Sequence, residues 1–245
     1  MGRSLHVLIP MAGRGRRFTE AGFVVPKPFI DVAGMPMVER VLRNVPPHES
    51  LYLLALEEHR PFVERWVNSI SGAYPPREIT AQYLQGVTQG SACTVLEAEG
   101  FLPDDDELLV VNCDQWNDYS AEHFLSYVRR SRADGALLTF RGSGTKWSYL
   151  QQYDDGTVSA VAEKEPISRD AIGGHFYWRE SQACFKAIKQ MIERHQEVHG
   201  EFYLAPSFNQ MINAGARVLA YPVARHVSMN TPEDLREALD EGVFS

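Results

Sequence analysis

Residues Pro10–Pro36 read PMAGRGRRFTEAGFVVPKPFIDVAGMP and follow directly on a short apolar run, Leu5–Ile9. An apolar run of strand length passing into this stretch implies a buried strand that delivers a loop rich in glycine and arginine. Glycines let backbone N–H groups approach an anion closely, and Arg14, Arg16 and Arg17 supply neutralising charge. Lys27 stands between Pro26 and Pro28, whose fixed φ gives a long, flexible cation a defined base. The stretch predicts a phosphate-handling loop beyond the carboxyl end of a strand, where open α/β sheets bind their ligands.

Two familiar phosphate motifs fit it poorly. A P-loop needs G-x-x-x-x-G-K-[ST], and the chain has no Gly-Lys pair. The dinucleotide fingerprint G-x-G-x-x-G starts at Gly13 and Gly15 but has Phe18 in its third position. The three arginines also stand where a dinucleotide loop relies mainly on backbone N–H groups.

The rest of the chain bounds the possibilities. Its 245 residues, 44% apolar and 11% aromatic, suffice for one large α/β unit with a full core. The formal net charge of −8 argues against nucleic acid as the main partner; the cations that matter are local. Cys93, Cys113 and Cys184 are odd in number and contain no C-x-x-C pair, which indicates neither a disulfide framework nor a zinc site and fits a reducing cytoplasm. No stretch has the length of a signal peptide or membrane span, so a cytoplasmic protein with no membrane partner is expected.

Strand-length apolar runs at 5–9, 51–56, 108–111, 136–140 and 218–221 alternate with amphipathic helical segments at 37–44, 60–70, 90–99 and 120–133. This rhythm predicts an α/β fold with a mostly parallel sheet sandwiched by helices. After Phe140 the pattern changes: residues 149–153, Asp-Asp-Gly and 158–162 read as a hairpin, 173–178 as a further strand and 181–195 as a long helix. One structural domain, 1–245, is expected. Residues 1–140 and 215–245 would form the nucleotide-binding core, and 141–214 a small lobe for a second substrate. Other features have plain readings: Asp104–Glu107 as an exposed turn, Trp66 and Trp178 as core aromatics, and His195 and His199 as the solvated face of a helix.

The elements Ala12-Gly13-Arg14-Gly15-Arg16-Arg17, Pro26-Lys27-Pro28 and Gly34-Met35-Pro36 resemble, in order and spacing, the signature of the sugar-phosphate nucleotidyltransferases, the nucleoside-diphosphate-sugar pyrophosphorylases. The resemblance implies a Rossmann-like, GT-A-like fold and transfer of a nucleotidyl group to a sugar 1-phosphate or related acceptor with release of pyrophosphate. Its expected pathway is nucleotide-sugar or surface-polysaccharide synthesis. It further implies that Arg17 and Lys27 grip the triphosphate and that Ala12, Gly13, Arg14, Gly15 and Arg16 line the nucleotide.

Further matches extend the resemblance. Asp114, at the end of a strand, matches the family's metal-binding carboxylate and implies Mg²⁺ as cofactor. Gln85, Gly90 and Ser91 match its base-reading loop. The Gln85 amide both donates and accepts, and Gly90 would leave bare backbone under the base, which favours a pyrimidine triphosphate, CTP, UTP or dTTP. Glu163-Lys164 resembles the pair that meets the acceptor's hydroxyls and phosphate, with Gly174 framing it and Glu201 a weaker contact.

Two departures stand out. Ser228, with Asn230 nearby, replaces a second metal-binding aspartate. Tyr149 stands near a position where relatives carry glycine against the sugar ring, and is expected to crowd a hexose. The rivals are therefore a cytidylyltransferase acting on a non-sugar phosphate, and a catalytically silent nucleotide-binding regulator. A homo-oligomer is left open.

Overall fold

The computed structural model describes residues 2–70 and 78–244. In chain order the elements are β1 (Leu5–Met11), α1 (Arg16–Glu20), α2 (Met37–Leu42), β2 (Ser50–Leu56), α3 (Arg60–Ile70), β3 (Glu78–Leu84), α4 (Ser91–Leu96), β4 (Glu107–Val111), β5 (Gln115–Asp118), α5 (Ala121–Arg130) and β6 (Gly135–Arg141). They continue with β7 (Ser148–Gln152), β8 (Val158–Glu163), β9 (Asp170–Trp178), α6 (Ser181–Glu193), α7 (Phe208–Asn213), β10 (Val218–Pro222), β11 (Arg225–Ser228) and α8 (Pro232–Asp240).

The main sheet runs β10-β6-β9-β4-β1-β2-β3 and is parallel except for β9, which lies antiparallel between β4 and β6. Central strands are covered on both faces, and β1 and β4 are accordingly buried along nearly their whole length rather than in alternation. The two faces become two cores. One holds Val7, Ile9, Val41, Trp66 and Phe124; the other holds Leu8, Val110, Phe176, Trp178, Phe185 and Phe208. Pro10 has no N–H to donate, yet it sits in β1. It falls where β1 pairs with β2 alone, the register with β4 having ended at Leu8. The sheet thus parts at the point where the Pro10–Pro36 loop leaves it.

The predicted α/β sandwich is the fold observed, with four differences. Strand β3 extends the sheet edge, its half-buried EITAQYL being too polar to stand out as an apolar run. The segment 141–214 is not a separate layer: β9 lies in the middle of the main sheet, and the β7–β8 hairpin extends from its start. The acidic run 104–107 is not wholly a solvated turn. Glu107 opens β4, is 4% exposed, and accepts from Arg129 and from the Tyr177 hydroxyl (2.9 Å). His195 and His199 both lie beyond the end of α6, in left-handed backbone, so they share no helix face. Trp66 and Trp178 are buried as expected. Among the described residues no helix is long and apolar enough to cross a membrane.

Trp178 is fully buried and stacks on Phe208 with ring centroids 4.4 Å apart. Trp178→Ala removes this contact and leaves a cavity too enclosed to collapse, so a loss of about 3–5 kcal/mol is expected in urea unfolding. A loss under about 1 kcal/mol would show that α7 does not pack on β9 as described.

Candidate active site

A cavity of about 780 Å³ opens at the carboxyl ends of β1 and β4. The amino end of β9 reaches the same place because β9 runs antiparallel to its neighbours. Between Leu137↔Phe176 and Thr139↔Ile172 the β9 strand carries extra residues, forming a bulge at Gly173-Gly174. Gly174 has φ +72°, and a Cβ there would lie 2.2 Å from Gln115 Oε1; a Cβ on Gly173 would lie 2.5 Å from Asn117 Oδ1. Only glycines let the bulge press against these amides, and the bulge brings Gly174 into the cavity wall beside Asn112 and Gln115.

The first loop supplies one side. Gly15 adopts φ +61° at the start of α1, and a Cβ on it would approach Lys27 Cβ to 2.9 Å. The bare glycine therefore lets the arginine loop lie against Lys27. Phe18 buries the inner face of α1, leaving Arg16 and Arg17 to line the cavity. Lys27 begins a 3₁₀ turn, Lys27–Phe29, set by the flanking prolines. Its ammonium donates to the Asp114 carboxylate, to Asn230 Oδ1 (2.8 Å) and to the Asn230 carbonyl (3.3 Å). Asp114 follows β4, and its carbonyl accepts from Met229 N at 2.8 Å.

The opposite wall comes from β7, β8 and the segment after α6. Lys164 stands in left-handed backbone, φ +58°, with its N–H donating to the Trp147 carbonyl at 2.9 Å. Glu163 accepts from Ser148 Oγ; burial pushes its carboxyl pKa up, the Ser148 bond and Lys164 opposing this. Glu201 and Tyr203 line the same wall, with Phe202 between them buried. The cavity holds five cations (Arg16, Arg17, Lys27, Lys146 and Lys164) against four carboxylates (Asp114, Glu163, Glu201 and Asp234). A net positive cleft in a chain of net charge −8 selects anions locally. Cys113 also lines it, but burial raises its thiol pKa to about 12, which removes it as a nucleophile at neutral pH.

Of the residues singled out in the sequence, Gly13, Gly15, Arg16, Arg17, Lys27, Ser91, Asp114, Glu163, Lys164, Gly174, Glu201 and Asn230 line this one cavity. Others do not. Ala12 is buried beneath the loop, and Arg14 points outward towards Glu58 (3.9 Å). Gln85 is exposed at the end of β3, outside the cavity wall.

Several expected roles change. Gly90 has φ +116°, and a Cβ on it would meet the Phe202 carbonyl at 2.5 Å, so its bare face is filled by Phe202 backbone rather than left for a base. Tyr149 is fully buried and donates to the Gly144 carbonyl at 2.7 Å; alternation along β7 turns its neighbour Ser148 into the cleft, so Tyr149 crowds no ligand. Ser228 donates to Asp234 Oδ2 at 2.9 Å and does not line the cavity, whereas Asp234, which also pairs with Lys146 at 3.2 Å, does.

Lys146, Asn112, Gln115, Tyr203 and Asp234 were not foreseen. Tyr203 carried a usable signal in its i+2 spacing from Glu201. Lys146 and Asp234 carried none, because their pairing spans 88 residues.

A mostly parallel sheet with an arginine loop at its carboxyl edge, and a second wall carrying Lys146 and Lys164 facing that loop, defines an α/β nucleotidyltransferase fold. Residues 7–205 match the MobA-like NTP transferase domain, and the chain belongs to that family. It is similar to the bifunctional protein GlmU of Methanococcus maripaludis strain C5, 29% identical over 215 residues, 86% of this chain and 48% of that protein. The chain spans about half the length of the curated relatives it matches.

Among solved structures, the nucleoside-diphosphate-sugar pyrophosphorylase of Vibrio cholerae RC9 superposes with a TM-score of 0.79 at 22% identity, covering 96% of this chain and 99% of that one. The inositol-1-phosphate CTP transferase of T. maritima superposes with a TM-score of 0.75 at 15% identity, covering 98% and 95%.

A carboxyl whose native pKa is raised holds its proton longer in the fold than in the unfolded chain. Its burial therefore costs stability progressively as pH rises from the ordinary carboxylate range through the raised value. Glu163→Gln should accordingly gain more thermal stability, relative to the parent, at pH 7.5 than at pH 4. The same offset in melting temperature at both pH values would show that burial does not govern this carboxyl.

Proposed function

We propose that the protein joins a nucleoside triphosphate to a phosphorylated, polyhydroxylated acceptor and releases pyrophosphate. The single observation that carries this reading is that Arg17, Lys27 and Lys164 face one cavity from opposite walls, with Asp114 between them and the strand end. An oxygen of the acceptor phosphate attacks the α-phosphorus in line, the bond to the bridging oxygen of the β-phosphate breaks, and pyrophosphate leaves with the electron pair. Such a reaction needs positioning and charge neutralisation rather than a nucleophilic side chain. Arg17 and Lys27 meet the triphosphate and Lys164 the acceptor phosphate. Burial-raised Glu163 with Ser148, and the amides of Asn112 and Gln115, offer hydrogen bonds to hydroxyls.

Two hard oxygen donors, the Asp114 carboxylate and the Asn230 amide, converge on the Lys27 ammonium, a donor set that suits Mg²⁺. Those two residues would hold the ion, with substrate phosphates and water completing its shell. When bound, Mg²⁺ neutralises phosphate charge. Among the described residues no group of three or more His, Cys, Asp or Glu side chains is placed to hold a metal.

The named activities of the V. cholerae and T. maritima proteins support a sugar or cyclic polyol phosphate as acceptor, and the latter supports a pyrimidine triphosphate. The removal of Tyr149 from the cleft weakens the case for a smaller, non-sugar acceptor. A cytoplasmic setting is part of the proposal, supported by three free cysteines.

A pyrophosphate-release assay over the common nucleoside triphosphates, with glucose 1-phosphate, inositol 1-phosphate and choline phosphate, tests the reading. Activity with a pyrimidine triphosphate and one of the first two is expected. Activity with choline phosphate alone would move the acceptor outside the polyols, and none with any pair would favour a silent nucleotide binder. Arg17→Ala should lower kcat/KM about 100-fold or more with an unchanged melting temperature; near-normal turnover would remove Arg17 from the transition state.

A further inference from the structure

Tyr203 is the one aromatic hydroxyl among the described residues of the cavity wall, and two features tie it to Lys164. The Lys164 ammonium donates to the Tyr203 oxygen, and the same ammonium lies 4.4 Å from the centroid of the Tyr203 ring. An ammonium cannot accept a hydrogen bond, so Lys164 is the donor and the phenol oxygen the acceptor. Burial, then the nearby Glu201 and Glu163, push the phenol pKa up, so the hydroxyl keeps its proton.

Both partners of this contact are anchored. Lys164 has one backbone conformation imposed on it, the left-handed one, costly for a non-glycine residue and held by its N–H to the Trp147 carbonyl. Tyr203 sits on a segment pinned to the entrance of α4 by Phe202 N to Gln89 O (2.8 Å), Ala92 N to Phe202 O (2.9 Å) and Leu204 N to Ser91 Oγ (3.1 Å). A four-carbon side chain that would otherwise sample many rotamers is thereby directed into the cleft.

We propose that Tyr203 is a positioning residue: its phenol holds the Lys164 ammonium and so aims it at the acceptor's phosphate. This rests on the nucleotidyl-transfer reading above. The segment that carries Tyr203 is the same one that fills the bare face of Gly90, so this wall is packed directly against the start of α4.

Tyr203→Phe is the test, because it keeps the ring beneath the ammonium and removes only the hydroxyl. In ligand-free protein labelled with ¹⁵N-lysine, the Lys164 side-chain ammonium signal, assigned with Lys164→Arg, should be protected from exchange in the parent and lost in Tyr203→Phe. In turnover, KM for the acceptor should rise about 10-fold while KM for the nucleotide stays within 2-fold, the size expected for losing one hydrogen bond to a charged group.

An ammonium signal equally protected in Tyr203→Phe overturns the proposal, as does an acceptor KM that moves no more than the nucleotide KM. If no triphosphate and acceptor pair yields pyrophosphate, the nucleotidyl-transfer reading fails by itself, and the ammonium signal still decides whether Tyr203 positions Lys164.

Discussion

The Lys27 ammonium joins three segments that are far apart in the chain: the first loop, the end of β4 at Asp114, and the turn at Asn230 that leads from β11 to α8. Both side chains of the Lys27–Asp114 pair are about 15% exposed, so the pair lies in a medium where charge interactions are stronger than at the surface and an unpaired partner would be costly. The rest of the cleft follows from this contact. It fixes the arginine loop over the strand ends, keeps α8 close enough for Asp234 to reach the cavity, and leaves a cation among the oxygen donors until anionic substrates compete for it.

The second constraint is the reversed strand. A fully parallel sheet would gather only strand-to-helix loops at this edge. Because β9 runs backwards between β4 and β6, its opening residues arrive there too, and its glycine bulge makes room for Asn112 and Gln115. Behind the bulge lies a neutral polar cluster. Asn117 Nδ2 donates to the Gly173 carbonyl at 2.7 Å, Asn117 Oδ1 lies 2.9 Å from His226 Nδ1, and burial lowers His226 to about 3 and His175 to about 4. His226 stacks on Phe140 (4.0 Å) and meets the edge of Trp147 (5.2 Å), so this cluster packs behind the Trp147 side of the cavity without adding charge to it.

The cleft is thus built from local chain chemistry on one side and from long-range meeting on the other. At the first loop, glycine, arginine and proline act within about twenty residues, and their effect is legible in sequence. Around the rest of the cleft, Ser148, Lys164, Gln115 and Tyr203 come from four different segments that meet only in the folded chain.

The sequence by itself determined the α/β class, the glycine- and arginine-rich loop at the carboxyl end of β1, the placing of Asp114 after a buried strand, and the hairpin that carries Glu163-Lys164. These features rest on short-range periodicity and on residues whose backbone constraints act locally. Only the tertiary structure decided that Tyr149 faces the core, that Gly90 makes room for Phe202 backbone, that Ser228 is tied to Asp234, and that Tyr203 stands against Lys164. A side chain's face on a strand inverts with a one-residue change of register, and a contact across many tens of residues leaves no periodic trace. That is why the strand-end cations could be read in advance, and the shape of the wall that holds Lys164 and Tyr203 could not.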